Sequence, residues 1–205
     1  MQLNRSEPSR VMRRLLLGIS LLLLSACSVS PRLPAPDTQE QAFIYQMNNW
    51  SMDARISINR EERSDNARLN WKQKQDDYRI SLTAGPFNQS VALMQGRPGQ
   101  VEIQVAGEDD RYVARTPEAL MQAILGWNLP VSHAVWWVRG LPDPGQPHES
   151  LTADTQQHFL QAGWDIKILR YQEIEPGTRL PSRLRMMHND LTVNLVISRW
   201  QLNDD

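Results

Sequence analysis

The sequence predicts a mainly β protein with a few helices, in which a single curved antiparallel sheet forms an incomplete barrel and the helices cover its apolar side. Three observations predict it. Most strand-like runs are apolar on one face only, the turn-forming clusters between them are too short for parallel crossovers, and helical periodicity falls between strands rather than after them. One-faced strands would also fit a two-sheet sandwich. The interposed helices favour the curved sheet, because they place a lid inside the domain.

The first element is a helix of about three turns, capped by Asp37 or Thr38, with Phe43, Met47 and Trp50 spaced i, i+4 and i+7 beside Ile44. From Trp50 the period becomes two: Trp50, Met52, Ala54, Ile56 and Ile58 share one face, and Ser51, Asp53, Arg55 and Ser57 the other. That is a half-buried strand. Alternation continues through Ala67, Leu69 and Trp71, then Tyr78, Ile80, Leu82 and Ala84, then Val91 with Leu93, then Val101, Ile103 and Val105. Gln75-Asp76-Asp77, Gly85-Pro86, Gly96-Arg97-Pro98-Gly99 and Gly107-Glu108-Asp109-Asp110 separate these runs. All are turn-forming clusters.

Thr116-Pro117-Glu118 then opens a helix, with threonine suited to the cap and proline to the first helical position. Leu120, Ile124 and Trp127 form its stripe beside Met121 and Leu125, and Gly126 ends it. A second short helix starts at Pro130 and Ser132, carries Val135, Trp136 and Val138, and stops at Gly140. Leu141-Pro142-Asp143-Pro144-Gly145 is a stiff turn. Between residues 147 and 162 the pattern is weakest, with strands expected near Leu151 and Phe159. Trp164, Ile166 and Ile168, then Leu184 and Met186, then Leu191, Val193, Leu195 and Ile197 resume the alternation, with Met187-His188-Asn189-Asp190 turning the last pair.

Composition narrows the function. Twenty-two Lys and Arg against 23 Asp and Glu leave a formal net charge of −1, so no basic excess points to nucleic acid. Seven tryptophans and eight methionines suit either an ordinary core or a surface that accommodates irregular apolar shapes. No catalytic or metal-ligating set is expected: His133, His148, His158 and His188 lack metalloprotease spacing, and no nucleophile elbow occurs. Glu61-Glu62, Asp76-Asp77 and Asp109-Asp110 sit at turns, where solvated charge explains them. No phosphate-binding glycine-rich motif is present, and no cofactor is expected.

The amino-terminal region carries a more specific signal. Arg10, Arg13 and Arg14 precede the leucine-rich run Leu15 to Leu24, and Leu24-Ser25-Ala26-Cys27 follows. The run has the length of a signal-peptide core and is too short for a finished membrane span. This order resembles the signal peptide and lipobox of bacterial lipoproteins. The resemblance implies removal of residues 1–26, a diacylglyceryl group on the Cys27 thiol and acylation of its new amino group. Ser28, rather than an aspartate, favours the outer membrane under the usual sorting pattern. Residues 27–36, rich in proline, read as an extended lipidated tether, and 37–205 as one domain. Cys27 is the sole cysteine, so no disulfide framework is available.

Over the whole precursor the chain resembles the LolB family of outer-membrane lipoprotein receptors. The likeness rests on the lipobox, the helix before Trp50, the strand Trp50 to Ile58, the segment Tyr78 to Val105, and Trp137-Val138-Arg139-Gly140-Leu141-Pro142. The resemblance implies a LolA/LolB-like open barrel with helices over an apolar cavity, and a monomer that takes client lipoproteins from a LolA-like periplasmic carrier and places them in outer-membrane lipid. It also implies a protruding loop whose apolar tip enters the membrane. That role falls on Pro86 and Phe87, with Phe where the family has Leu and Asn88 where it has Gly. Read from its neighbours alone, Phe87 fits a plug folded back onto the core.

Acyl chains cost roughly 0.8 kcal/mol per methylene exposed to water, so they must pass between apolar enclosures. Met52, Ile56, Leu69, Trp71, Ile80, Leu82, Ile103, Leu120, Ile124, Trp136 and Leu195 are the expected lining. A rival reading is an anchored binding or scaffold module without a lipid cavity. A filled interior distinguishes it.

Overall fold

The structure, a computed structural model, describes residues 35–61, 63–85, 89–125, 129–151 and 157–202. Cys27, Pro86, Phe87, Asn88, Gly126 and Trp127 lie outside the described residues. The described strands are β1 (Asn49–Arg60), β2 (Arg63–Lys74), β3 (Asp77–Ala84), β4 (Gln89–Arg97), β5 (Gln100–Val105), β6 (Arg111–Ala114), β7 (His148–Ser150), β8 (His158–Gln161), β9 (Trp164–Glu175), β10 (Thr178–His188) and β11 (Leu191–Leu202). Helix α1 (Thr38–Gln46) precedes them, and α2 (Pro117–Leu125) and α3 (Val131–Trp137) lie between β6 and β7.

All eleven strands form one antiparallel sheet in the order β6-β5-β4-β3-β2-β1-β11-β10-β9-β8-β7. Consecutive antiparallel pairing makes β1 to β6 one meander and β7 to β11 another, and pairing of β1 with β11, from Trp50↔Leu202 to Arg60↔Leu191, joins the two. β6 and β7 remain separate edges, so the sheet stays open. Register shifts at Asp53/Ala54, Leu82/Thr83 and Pro181/Arg183 add local bend and twist, as an extra residue in one strand does. The expected curved-sheet class is the one observed.

The apolar faces of both meanders point the same way. Trp50, Met52, Ala54 and Ile56 of β1 are buried beside Leu69 and Trp71 of β2 and beside Val193, Leu195 and Ile197 of β11. Strand β4 departs from the expectation: Ala92 and Met94 are buried, while Val91 is 41 % exposed. Both phases of this strand are apolar, so alternation alone does not choose between them, and a one-residue slip exchanges the faces. β6 is a four-residue edge strand that is not among the expected ones.

In α1 the Asp37 side chain accepts hydrogen bonds from the amides of Gln39 and Glu40, both at 3.0 Å, as an N-cap should. The buried face is Glu40, Ile44 and Met47 rather than the expected Phe43, Met47 and Trp50: Phe43 is 48 % exposed, and Trp50 belongs to β1. Glu40 explains the difference. Its carboxylate takes the Arg179 guanidinium at 2.6 Å and 3.0 Å and the Arg179 amide as well, pinning the helix to β10.

The other end of α1 is held by Arg139, which is 3 % exposed. Its Nη1 donates to the carbonyls of Ile44 at 3.0 Å and Met47 at 2.8 Å, and its Nε donates to Val135 at 3.0 Å. The guanidinium also lies 4.2 Å from the centre of the Trp136 ring. Among the described residues no carboxylate pairs with it. Helix-end carbonyls therefore compensate the charge; that of Ile44 also accepts from the Met47 amide at 3.2 Å.

Gly140 follows with φ +85°, and a Cβ there would meet Pro181 Cγ at 3.1 Å, so both the turn and the close approach to β10 require glycine. Gln161, 2 % exposed, then fastens the next segment. Its Oε1 accepts from Trp137 Nε1 and the Asp143 amide, both at 2.8 Å, and its Nε2 donates to the carbonyls of Asp143 and Gln146.

Arg139→Met should cost about 2–4 kcal/mol, because it removes the donor to the carbonyls of Met47 and Val135 and leaves that of Ile44 with the Met47 amide alone. Urea denaturation of the variant against the parent protein checks this. A change below about 1 kcal/mol would show that water or a neighbour replaces the guanidinium.

Candidate apolar binding site

Helix α2 packs against β5, β6 and α3, so the two short helices cover one end of the inner face. Thr116 Oγ1 accepts from the Ala119 amide at 3.3 Å and caps α2 as expected. Glu118 joins the helices by accepting from the Ser132 amide at 2.9 Å and the Ser132 hydroxyl at 2.7 Å, and this contact is exposed.

The eleven expected lining residues all fall in one apolar cluster beneath these helices. Met52 and Ile56 stand on β1, Leu69 and Trp71 on β2, Ile80 and Leu82 on β3, Ile103 on β5 and Leu195 on β11, while Leu120 and Ile124 come from α2 and Trp136 from α3. Leu82, Ile124 and Trp136 are partly buried and the others are buried. Most pack directly on their neighbours. Of this set, Trp71 and Trp136 border a cavity of about 570 Å³ at the end of the sheet.

That cavity is framed by Trp50, Trp71, Tyr78, Val101, Val135 and Trp136, with Gln73, Arg97, Arg115 and Glu118 at its polar side. Its size lies in the range of small-ligand pockets. Trp50 is the residue that reading for lining positions missed: it is fully buried, with ring centres 5.5 Å from Trp71 and 5.4 Å from Trp200. Its place in the alternating run was the available signal. Met94, Met121 and Val131 were missed too and belong to the same cluster.

Tyr78 shapes the cavity wall. It is paired across the strands with Gly96, and a Cβ on Gly96 would lie 2.0 Å from Tyr78 Cζ, so the ring rests on bare backbone. Burial pushes the phenol of Tyr78 upward, helped by the nearby Glu118 carboxylate, and burial does the same to Tyr171. Burial lowers the Arg139 guanidinium to about 10. Among the described residues, Tyr78 Oη and Trp50 Nε1 have no hydrogen-bond partner.

A family model described as "Outer membrane lipoprotein LolB" matches residues 48–200, which takes in every strand and all but the first helix. The chain belongs to the LolB family. An outer-membrane lipoprotein LolB of Pseudomonas fluorescens is 41 % identical over 171 residues, covering 82 % of each chain. One from Pseudomonas aeruginosa is 39 % identical over 200 residues, covering 93 % of this chain and 96 % of that one. Among solved structures, a DUF1329 family protein from Desulfovibrio piger shares the fold, with a TM-score of 0.54 at 8 % identity over 80 % of this chain and 90 % of that chain. The family membership assigned from the lipobox, the Trp50 strand and the Gly140-Leu141-Pro142 turn is thereby established. In LolB terms, Arg139, Gly140 and Gln161 join the helical cover to the sheet.

Two outcomes follow from this geometry. Gly96→Ala should displace the Tyr78 ring and cost about 1–3 kcal/mol by overpacking, and Tyr78→Ala in the same chain should relieve most of that cost, which a double-mutant cycle in urea measures. Because the phenols of Tyr78 and Tyr171 are raised in the folded chain, their stabilisation is complete below the unfolded tyrosine value of about 10 and is lost as pH climbs beyond it. The urea midpoint should fall above about pH 10, and Tyr171→Phe should reduce that fall.

Proposed function

We propose that this chain is a receptor, anchored in the outer membrane by acyl groups on Cys27, that takes lipoproteins from a LolA-like periplasmic carrier and delivers them into outer-membrane lipid. Family membership over residues 48–200 is the observation that carries the reading. The relatives bear the name outer-membrane lipoprotein, and the lipobox ending at Cys27 agrees with that name. No bond is made or broken in the receptor's own step, so the reading assigns no catalytic residue, metal or cofactor.

Acyl chains would be sheltered against the inner face of the sheet. The strands beneath α2 offer a continuous apolar surface, and the cavity beside Trp71 and Trp136 gives a place to enter it. Further room comes from moving α2. This helix lies against the short edge strand β6 and is tied to α3 through an exposed contact, whereas α1 and the end of α3 are fastened by the buried Arg139. A lid needs this division between a held end and a loosely held one. Methionines at positions 52, 94 and 121 suit a surface that repacks around chains of different shape. With no means of using ATP assigned, transfer runs downhill in affinity from carrier to receptor to bilayer.

The close packing of most inner-face residues is the one observation on the side of a scaffold that binds no lipid. Photo-crosslinking decides between the two readings. A photoreactive residue at Leu120 or Ile80 should capture an acylated client but not the same client stripped of its acyl chains. Absence of acyl-dependent capture at both positions would leave the scaffold.

Phe87→Glu should leave acceptance from the carrier intact and slow delivery several-fold, because a charge resists entry of the loop tip into the bilayer. Transfer into vesicles with purified carrier and client reads this directly, and normal delivery would remove Phe87 from the mechanism. Cys27→Ala, freed from the signal by another route, should lose its anchor and still bind a lipopeptide.

A further inference from the structure

The outer face of the sheet carries a pattern that acyl-chain binding does not use. Register aligns Thr83, Arg68, Arg55, Val196, Arg183 and Arg170 in one transverse row over β3, β2, β1, β11, β10 and β9. The four arginines are exposed, and Val196 at the centre is 39 % exposed. Arg185 stands in the next row, opposite Asn194.

Arg55 lies directly opposite Arg68, and Arg183 opposite Arg170. Opposed like charges destabilise a sheet. Among the described residues none of the four has a carboxylate in ion-pair range. Two acids on the same strands are engaged elsewhere: Asp53 accepts from Asn70 at 2.7 Å and faces Arg199 at 3.9 Å, and Asp165 meets His158 at 2.9 Å and Lys167 at 3.5 Å. On a chain of net charge −1 this row is a local concentration, not a general basicity.

We infer that the row docks onto the anionic phospholipid headgroups of the membrane that holds the lipid anchor. The inference rests on the anchored-receptor reading. Strands repeat at about 4.8 Å, so the row presents guanidinium groups as a line of charge to a plane of phosphates, which arginine forks grip in pairs. Two grooves beside the row, of about 660 Å³ and 360 Å³, are lined by Arg55, Arg68 and Val196, the larger also by Asp53, which accepts from Asn70, and both by Ser, Thr and Asn side chains. These supply neutral hydrogen-bonding groups next to the charges. The smaller groove reaches Gly85, so the row begins beside the turn that leaves β3. A headgroup plane asks for charge density without a shaped pocket, and a row of four exposed arginines with no ion-paired carboxylate among the described residues meets that requirement better than it would an acidic protein with apolar anchors. The ten-residue tether 27–36 reaches at most about 35 Å, so it keeps the domain near the surface without setting its orientation. The arginine row sets it.

The test places a fluorophore at Val196→Cys, the only thiol left once Cys27 is acylated, in the full lipidated chain on vesicles containing a headgroup-labelled acceptor lipid. Energy transfer should be stronger on vesicles of phosphatidylcholine with phosphatidylglycerol than on phosphatidylcholine alone, and high salt should remove the difference. Changing Arg55, Arg68, Arg170 and Arg183 together to Gln should lower the ratio of docked to undocked chains by up to several hundredfold, given about fivefold for each arginine near an anionic surface. Changing the four to Lys should keep most of the effect, which separates charge from folding. Equal transfer on the two vesicle types overturns the inference, and so does a signal that changes only when the carrier protein is added, which would make this face a protein contact. Lipoprotein delivery measured on the same vesicles keeps the two readings apart: intact delivery with equal transfer rejects the docking face alone, whereas failure of the chain to attach to neutral vesicles strikes the anchor.

Discussion

The ladder between the first strand and the last is the constraint from which the rest of the architecture follows. Without pairing of β1 with β11 there would be two separate meanders, each with one apolar face and nothing opposite it. With it, Met52 and Ile56 lie beside Leu195 on one continuous surface broad enough for helices to cover. The ladder joins residues about 150 positions apart, as the Ser51–Gln201 side-chain contact records. Its contacts come only after a large loop-closure cost, which makes them late and mutually dependent.

A small number of buried polar groups then position the cover. Arg139 holds the end of α1, Glu40 with Arg179 holds its beginning, and Gln161 holds the segment after α3. Each joins elements that backbone hydrogen bonding alone would leave independent. α2 lacks such a fastening among the described residues and rests on apolar contact, a cap and an exposed carboxylate–hydroxyl bond. The same chain thus contains a rigid collar and a loosely attached flap, and the aromatic-lined cavity lies where they meet.

Strands with a single apolar phase were legible from the sequence. β1, β2, β3, β5 and β11 turn inward the face that alternation selects, with residues such as Met52, Trp71, Ile80, Ile103 and Leu195 buried and Ile58, Ala67, Tyr78 and Leu82 partly so, since their other face is mostly polar. β4 was not legible in the same way, because Val91 and Leu93 compete with Ala92 and Met94 and only tertiary register decides. The face of α1 was misjudged for a related reason: its anchor is a carboxylate, and a count of apolar residues passes over Glu40 when its partner arginine stands 139 positions away. Arg139 and Gln161 look like surface residues in the sequence, and nothing local marks them as buried. The lining positions were readable as apolar. Their state of packing was not, because a cavity depends on how volumes fit together rather than on which residues face inward.

The clasp at Arg139 has a further consequence. A guanidinium held by backbone carbonyls has no acidic partner that protonation could switch off, and carbonyls do not titrate in the physiological range. When the surroundings acidify, carboxylate-based contacts such as Glu40 with Arg179 are exposed to protonation, yet the Arg139 clasp keeps its grip on the other end of α1. The hold on that end of the helix is therefore independent of the proton concentration outside the cell.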